Sequence, residues 1–326
     1  MDRRRMCQAL AGGSLAAALP ARAQARRTAR VAWISTDQAN PEAPFLAAFR
    51  RGMRQAGWVE GRDLVVEPFW SDGLGERIER TVAQAVATKP DVIVAAGGFV
   101  VRPLMTLPAA PPVVFSYSGD AAAGGIVESY ARPGVNRTGV SLFSLQLVPK
   151  RLELMKETLP GMKRVAIFGW PRHAGEPAEV DAVARAATGL SLAHQYFPVT
   201  SSTDLDASFE RALAGRPEAI LAFADGVTIG FADRFAAFSK RHRIPAVSGW
   251  AIFAEKGNLM SYGPRLEATH ARLAEFVDRI LKGAKASEMP VELPTVQELV
   301  VNRRTAKEIG IAMPASVLAR ADRLID

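Results

Sequence analysis

From Arg30 onward, the chain alternates short apolar runs with longer segments that carry apolar residues on one helical face. Strands of a parallel sheet are buried on both sides and read as continuous apolar runs, whereas the helices that connect them are amphipathic. The alternation is therefore typical of βαβ units. It predicts an α/β protein built on doubly wound parallel sheets.

The first series of predicted elements fills the chain up to residue 143. Gly57 is a good left-handed cap for the end of the first helix, and Pro90 prevents the second helix from continuing. Strands are predicted at 30–35, 64–71, 91–97, 112–118 and 136–143, and helices at 44–57, 76–88 and near 100–107.

A second series repeats the plan. Helices are predicted at 147–160, 176–189, 204–215 and 231–242, and strands at 164–170, 192–199, 219–225 and 245–251. The segment 258–264 is predicted to cross between lobes, the helix 266–283 to pack back on the first lobe, and 293–310 to add a strand and a helix to the second.

Two consecutive α/β series predict two lobes. No Gly/Ser-rich linker separates them, which favours a compact pair joined by several short crossings. We expect the first lobe to comprise residues 26–142 and 264–290, and the second lobe to comprise residues 143–263 and 291–326.

Residues 1–25 are predicted to be an export signal. The apolar stretch 8–20 follows three arginines at positions 3–5, and small residues at 21–25 offer cleavage sites. The apolar core is too short to span a membrane. We therefore expect the mature protein in the periplasm, with both the general and the twin-arginine export routes open.

The cysteine content and the net charge limit the kinds of site and partner that the mature chain can have. Cys7 is the one cysteine and lies in the predicted signal, so the mature chain is expected to hold no disulfide and no thiolate metal site. Removing residues 1–25 takes away four Arg and one Asp and lowers the net charge from +8 to +5. The remaining charges of both signs are interspersed, which indicates a solvated surface and no nucleic-acid partner.

Hydroxyls, glycines, acids and aromatic residues follow the predicted strands. In an open parallel sheet this is the edge at which ligands bind. Hydroxyls and backbone N–H groups suit a carboxylate, aspartate suits an ammonium group, and rings suit an apolar body. The candidate ligand-binding residues are Ser35, Thr36, Gly97, Gly98, Phe99, Ser118, Asp120, Trp170, Asp225, Trp250 and Tyr262.

Structural roles stay open for several of these residues. Asp120 and Asp225 could cap a turn or the next helix. Gly97 and Gly98 could serve a tight turn, although the missing side chains would also let a ligand approach the backbone. Tyr262, in the predicted crossing, could line the cleft or hold a hinge. Trp33 lies inside a strand and is expected in the core.

The sequence lacks the motifs of common enzyme classes. It has no G-x-S-x-G elbow, no phosphate-binding P-loop, no G-x-G-x-x-G after the first strand and no histidines at zinc-helix spacing. His173 with Glu176 is the one His/Glu pair predicted near the strand ends, and such a loop pair is usually solvated. We expect no enzyme activity, no cofactor and no metal. A cytoplasmic repressor would need an N-terminal helix-turn-helix where the export signal stands.

Long stretches of the chain match a known pattern. They include FRRGMRQAGWVEGRDLVVEPFW (49–70), DVIVAAG (91–97), VVFSYSGDAAAGGIVESYARPGVNRTG (113–139), KRLELMKETLPGMKRVAIF (150–168), the run 259–311 and LARADRLID (318–326). In this order, and over nearly the whole mature chain, they resemble a family of ABC-transporter substrate-binding proteins, some of whose members bind aromatic amino acids. The resemblance implies a type I periplasmic binding protein fold with two Rossmann-like lobes, three crossings and a ligand in the cleft.

Departures from the family pattern are concentrated at strand ends. The usual Gly-Asp-Pro is Gly119, Asp120 and Ala121 here, and the usual Gly-Thr-Pro is represented by residues 98–100, with Phe99 in the middle. WPRHAGEP (170–177) stands in place of Asn-Pro-x-Asn-Pro, and ADGVT (224–228) in place of Pro-Asp-Pro. Because these departures lie at strand ends, they do not affect the predicted fold, but they leave the identity of the ligand undetermined.

The functional hypothesis is a periplasmic receptor that closes on a small molecule by a hinge motion. The resemblance implies delivery of an amino acid, aromatic or otherwise, or a related carboxylate to the permease of an ABC importer in the inner membrane. The receptor is expected to be a monomer. An exported ligand sensor with the same fold is the alternative, and a periplasmic hydrolase or isomerase is a further one.

Overall fold

The computed structural model describes residues 27–72, 77–107, 110–173 and 175–326. The predicted export signal lies outside these residues. The strands are β1 Ala29–Ser35, β2 Leu64–Trp70, β3 Val92–Ala96, β4 Val113–Tyr117, β5 Arg137–Ser141, β6 Arg164–Gly169, β7 Ala193–Pro198, β8 Ala219–Ala222, β9 Ala246–Ser248, β10 Met260–Pro264, β11 Gln297–Asn302 and β12 Arg323–Ile325.

The helices alternate with these strands. They are α1 Pro44–Gln55, α2 Ile78–Ala87, α3 Gly98–Met105, α4 Val148–Thr158, α5 Glu176–Gly189, α6 Ser202–Ala214, α7 Gly226–Gly230, α8 Ala232–His242, α9 Ala251–Glu255, α10 Leu266–Leu281, α11 Arg303–Ile309 and α12 Ala315–Arg320. Short 3-10 turns span Ser144–Leu147 and Ala286–Glu288.

The first sheet is parallel throughout, with the strand order β2-β1-β3-β4-β5. Every residue of β1 except Arg30 is buried, and Trp33 is 1% exposed in the core between the sheet and helices α1 and α10. Helix α10 packs closely on α1 because Gly52 has no side chain: a Cβ there would lie 2.6 Å from the Ala271 carbonyl oxygen. Helix α10, which comes late in the chain, therefore packs directly on the first described helix of the chain.

The second sheet has the strand order β12-β11-β10-β9-β8-β6-β7 and is parallel except for the β10–β11 pair. Aromatic side chains fill one of its faces: the Phe168 ring lies 5.3 Å from those of Phe197 and Phe235 and 5.4 Å from that of Phe209. The predicted fold class, α/β with two doubly wound lobes, is confirmed. The two sheets have separate cores on each face.

The prediction that 258–264 is only a crossing between lobes was wrong. Residues Met260–Pro264 form strand β10, which pairs with β9 and β11 inside the second sheet. The sequence pattern also missed α7, α9, α12 and β12. These elements are three to six residues long, too short to show a helical or strand period.

Three segments join the lobes: 142–147 between β5 and α4, residue 265 between β10 and α10, and 293–296 before β11. The last follows Glu292, which bridges to Val140 at the edge of the first sheet. Short multiple connections of this kind allow two rigid bodies to rotate about a hinge. Within the described ranges, no helix is both long enough and apolar enough to cross a bilayer.

Candidate functional site

The carboxyl ends of strands from the two sheets face each other and are in contact. We call this region the cleft and define it by Thr36, Phe99 and Ser118 of the first lobe and by Trp170, His173 and Gly226 of the second. The Phe99 and Trp170 ring centroids are 4.0 Å apart. The Ser118 Oγ lies 2.6 Å from His173 Nε2, and a Cβ on Gly226 would lie 3.7 Å from both Phe99 and Thr36.

Two glycines shape the first-lobe wall at the end of β3. Gly97 has φ +116°, which a residue with a side chain rarely adopts, and its N–H donates to the Ser116 carbonyl oxygen at 3.1 Å. A Cβ on Gly98 would lie 2.8 Å from the Tyr117 ring. The turn therefore needs both glycines, and it projects the half-buried Phe99 towards the other lobe.

Ser35 and Asp120 hold loops of the first lobe. The Ser35 hydroxyl donates to the Asp37 carboxylate at 2.8 Å. The Asp120 Oδ1 accepts from the N–H groups of Ala122 and Ala123 and from the Tyr130 hydroxyl, at 2.9 to 3.0 Å. Asp120 thus caps its own turn, which is the alternative that the sequence left open for it.

His173 crosses from the second lobe to the first. Its ring is 6% exposed and stacks on Tyr117 at 5.8 Å. Burial, reinforced by the Arg102 charge, lowers the pKa of His173 to about 4. The imidazole is therefore neutral at pH 7, and it shares one hydrogen bond with Ser118 across the cleft.

Glu179, rather than Glu176, is the carboxyl that faces His173. Glu179 Oε2 lies 3.8 Å from His173 Nδ1, and both side chains are buried, so the expectation of a solvated His173–Glu176 pair was wrong. The reason is the start of α5: Glu176 is its first residue, and Glu179 follows one turn later. Burial, and secondarily the Asp225 charge, raises the pKa of Glu179 to about 8, so Glu179 is mostly protonated at pH 7.

Asp225 caps helix α7 from the end of β8. Its Oδ1 accepts from the N–H groups of Val227 at 2.9 Å and Thr228 at 2.8 Å, and its Oδ2 accepts from the Thr228 hydroxyl at 2.5 Å. Burial raises the pKa of Asp225 to about 6, and these hydrogen bonds limit the rise. The residue is 1% exposed and immediately precedes Gly226 of the cleft.

Trp250 and Tyr262 occupy different environments. Trp250 follows β9 and packs against the cores of both lobes, and its buried Nε1 has no hydrogen-bond acceptor within the described residues. Tyr262 is a strand residue whose side chain packs on the second-lobe core, and its carbonyl oxygen accepts from Arg151 Nε at 2.8 Å. Tyr262 is therefore a strand residue, not one of a crossing.

The sequence analysis did not identify Arg151, a buried cation beside Gly249 and Gly263 in the second lobe. Arg151 is 0% exposed on α4, close to Gly249 and Gly263: a Cβ on those glycines would lie 2.4 Å and 3.3 Å from its Nη2. A signal was present, because Arg151 lies at helical spacing from the apolar Val148 and Met155 on α4.

Comparison with known proteins shows the family to which this chain belongs. The family model described as "ABC transporter substrate binding protein" matches residues 45–325, which is most of the chain. The chain belongs to the ABC transporter substrate-binding protein family. The fold and the facing strand ends agree with membership of a family of substrate-binding proteins.

Individual relatives of this substrate-binding protein are distant. A tyrosine-binding protein of Clostridioides difficile is 20% identical over 200 residues, 61% of this chain. The alignment spans 57% of that relative's length. A Vibrio cholerae conserved domain protein has a TM-score of 0.83 at 24% identity, covering 91% of this chain and all of the other. An ABC domain from Streptococcus pneumonia in complex with L-Trp has the same TM-score and coverages at 21% identity.

Proposed function

We propose that the protein captures an amino acid or a related small carboxylate in the cleft and delivers it to an ABC importer from the periplasm. The observation that carries this proposal is the direct contact of the two lobes through cleft side chains, Ser118 with His173 and Phe99 with Trp170. Contacts that exist only when the lobes are together give the protein two distinguishable shapes, which a permease can read. A relative named as a tyrosine-binding protein and a similar structure in complex with L-Trp support an amino acid as the class of ligand, without indicating the size of its side chain.

Ligand capture is tested on protein purified from its own periplasm. Native mass spectrometry is expected to show a co-purified small molecule, and titration of the stripped protein is expected to give a Kd in the micromolar range or tighter, about 8 kcal/mol or more of binding free energy. Absence of a co-purified molecule, with no response to any amino acid or short carboxylate, would refute the proposal. Uptake of the ligand should also fall when the gene is deleted. Unchanged uptake would favour the sensor alternative.

The arrangement of Ser118, His173 and Glu179 does not support catalysis. In a serine hydrolase the carboxylate is ionised and stabilises the imidazolium that forms when histidine takes the serine proton. Here burial raises the pKa of Glu179 to about 8, so the carboxyl that faces His173 is mostly neutral at pH 7 and cannot stabilise an imidazolium as an ionised carboxylate would. We therefore assign these residues to the contact between the lobes. Turnover of a bound compound that is abolished by His173→Ala would overturn this assignment.

Replacing Trp250 with alanine is expected to weaken ligand binding by about tenfold or more. Its ring contacts both lobes, and its indole N–H, which has no acceptor among the described residues, is available to a ligand carboxylate. Isothermal titration of the wild type and variant measures the change. Trp58→Ala is the matched control, because Trp58 donates to Asp278 at 2.8 Å at the far side of the first lobe. Equal losses in both variants would contradict a role in binding.

Asp225→Asn is expected to weaken binding of an amine-bearing ligand by about tenfold or more. Asparagine keeps an acceptor oxygen for the Val227 and Thr228 N–H groups but removes the charge that would attract an ammonium. The comparison ligand is the deaminated analogue, whose affinity should stay the same. If the variant weakens both compounds equally, Asp225 acts only as the cap of α7.

A further inference from the structure

Phe99 is held between two parts of the second lobe. One neighbour is Trp170, whose ring centroid is 4.0 Å from that of Phe99 at an interplanar angle of 36°. The other is the start of α7, where a Cβ on Gly226 would lie 3.7 Å from the Phe99 ring. The side chain therefore fills the section of the cleft between the ends of β6 and β8.

The backbone on both sides of this contact is fixed. The Asp225 carboxylate accepts a hydrogen bond from the Trp170 backbone N–H and also caps α7. On the first lobe, Gly97 and Gly98 pack the turn against Ser116 and Tyr117. Phe99 is thus presented by one rigid turn to another, and it cannot move aside without a change of its own rotamer or an opening of the lobes.

No aromatic ring fits between Phe99 and Trp170 when the lobes are together. Aromatic pairs have centroid distances of about 4.5 Å or more, so a ring sandwiched between two others needs the outer centroids about 9 Å apart. The observed distance is 4.0 Å. Accommodating a third ring there would require the walls to separate by about 5 Å, which would break the contact between Ser118 and His173 as well.

We propose that Phe99 sets the upper size of the ligand, so that the closed cleft admits short amino acids or carboxylates and excludes those with an aromatic side chain. This inference rests on the proposed function and names the ligand class within it. The residue acts as a specificity determinant by occupying volume. Polar groups of the strand ends bind the ligand head group, and the space that a ring-bearing side chain would need is filled by the protein's own ring.

The test compares the wild type, Phe99→Ala and Leu104→Ala. Leu104 is 2% exposed on the core side of the same helix, so its truncation controls for destabilisation of α3. Each protein is titrated with alanine, serine, valine, phenylalanine, tyrosine and tryptophan and with their 2-oxo analogues. We expect the wild type to bind a compound without a ring at least tenfold more tightly than any with one, and Phe99→Ala to gain at least tenfold for a ring-bearing compound. Leu104→Ala should keep the wild-type order.

The outcomes of this experiment distinguish failure of the size limit set by Phe99 from failure of the proposed ligand class. If the wild type binds an aromatic compound most tightly, the size limit is refuted and the proposed function stands. If the wild type binds a short compound and Phe99→Ala gains nothing for aromatic ones, the role of Phe99 is refuted. If neither protein binds any compound in the set, the proposed ligand class fails and the size limit fails with it.

Discussion

Replacing Arg151 with alanine is expected to lower the free energy of unfolding by about 3–5 kcal/mol, the range for truncation of a large buried side chain. The side chain is fully buried on α4, and its Nε donates to the Tyr262 carbonyl oxygen at 2.8 Å. Truncation leaves that part-buried carbonyl oxygen without this donor, which costs about 1 kcal/mol, and opens a cavity beside Gly249 and Gly263.

The packing around Arg151 explains why the loss should be large. A side chain at Gly249 or Gly263 would collide with its neighbours: the Cβ positions lie 2.5 Å from the Ala224 Cβ and 2.0 Å from the Gly249 carbonyl oxygen, respectively. The site is therefore built to the shape of a guanidinium and relaxes poorly when it is removed. Burial lowers the pKa of Arg151 to about 10, so it still carries its charge at pH 7.

Urea unfolding of the variants measures the effect. Arg151→Met, which keeps an unbranched side chain as far as the ε position but removes the donors, retains part of the buried volume and should lie between the wild type and Arg151→Ala. The matched control is Arg164→Ala: Arg164 pairs with Glu218 at the surface, with 44% of its side chain exposed, and its loss should cost about 1 kcal/mol or less. An Arg151→Ala variant as stable as the Arg164→Ala control would show that the buried cation is dispensable.

The sequence predicted most strands and long helices correctly, because their positions depend on residues that are close together in the chain. Helix α5 spans Glu176–Gly189 as predicted, since an amphipathic period of this length starts with a proline in its first turn. The five-residue helices α7 and α9 were missed because they span barely more than one turn. Helix α7 begins at its cap Asp225, for which the sequence left capping and ligand binding both open.

Contacts across the cleft could not be predicted in the same way. Ser118 and His173 are 55 residues apart and follow strands of different sheets, so no periodicity relates them. The sequence placed both near strand ends, but the partner of each depends on how two complete lobes dock. The same limit applies to Glu179: helical spacing places it one turn after Glu176, yet only the packed structure shows that it, and not Glu176, faces His173.

Buried Glu179 also predicts how stability depends on pH. Its pKa is raised from 4.5 to about 8, so between these values the folded state binds a proton that the unfolded state releases. Stability from this group is present at low pH and is lost as the pH rises through 8. His173 and His270 have the opposite sign: burial lowers their pKa values to about 4, so the unfolded state binds more protons below pH 6.5.

A Glu179→Gln variant isolates the carboxyl, because glutamine stays neutral while both histidines are retained. The stability of the wild type relative to Glu179→Gln is expected to fall by about 2–3 kcal/mol from pH 6 to pH 9, since each unit of pKa difference corresponds to about 1.4 kcal/mol. Urea unfolding at half-unit steps gives the difference. Glu218→Gln, at the surface, should show no such fall. Parallel pH profiles for the wild type and Glu179→Gln would mean that Glu179 is ionised in the folded protein, and the assignment of a mostly protonated Glu179 beside His173 would then be wrong.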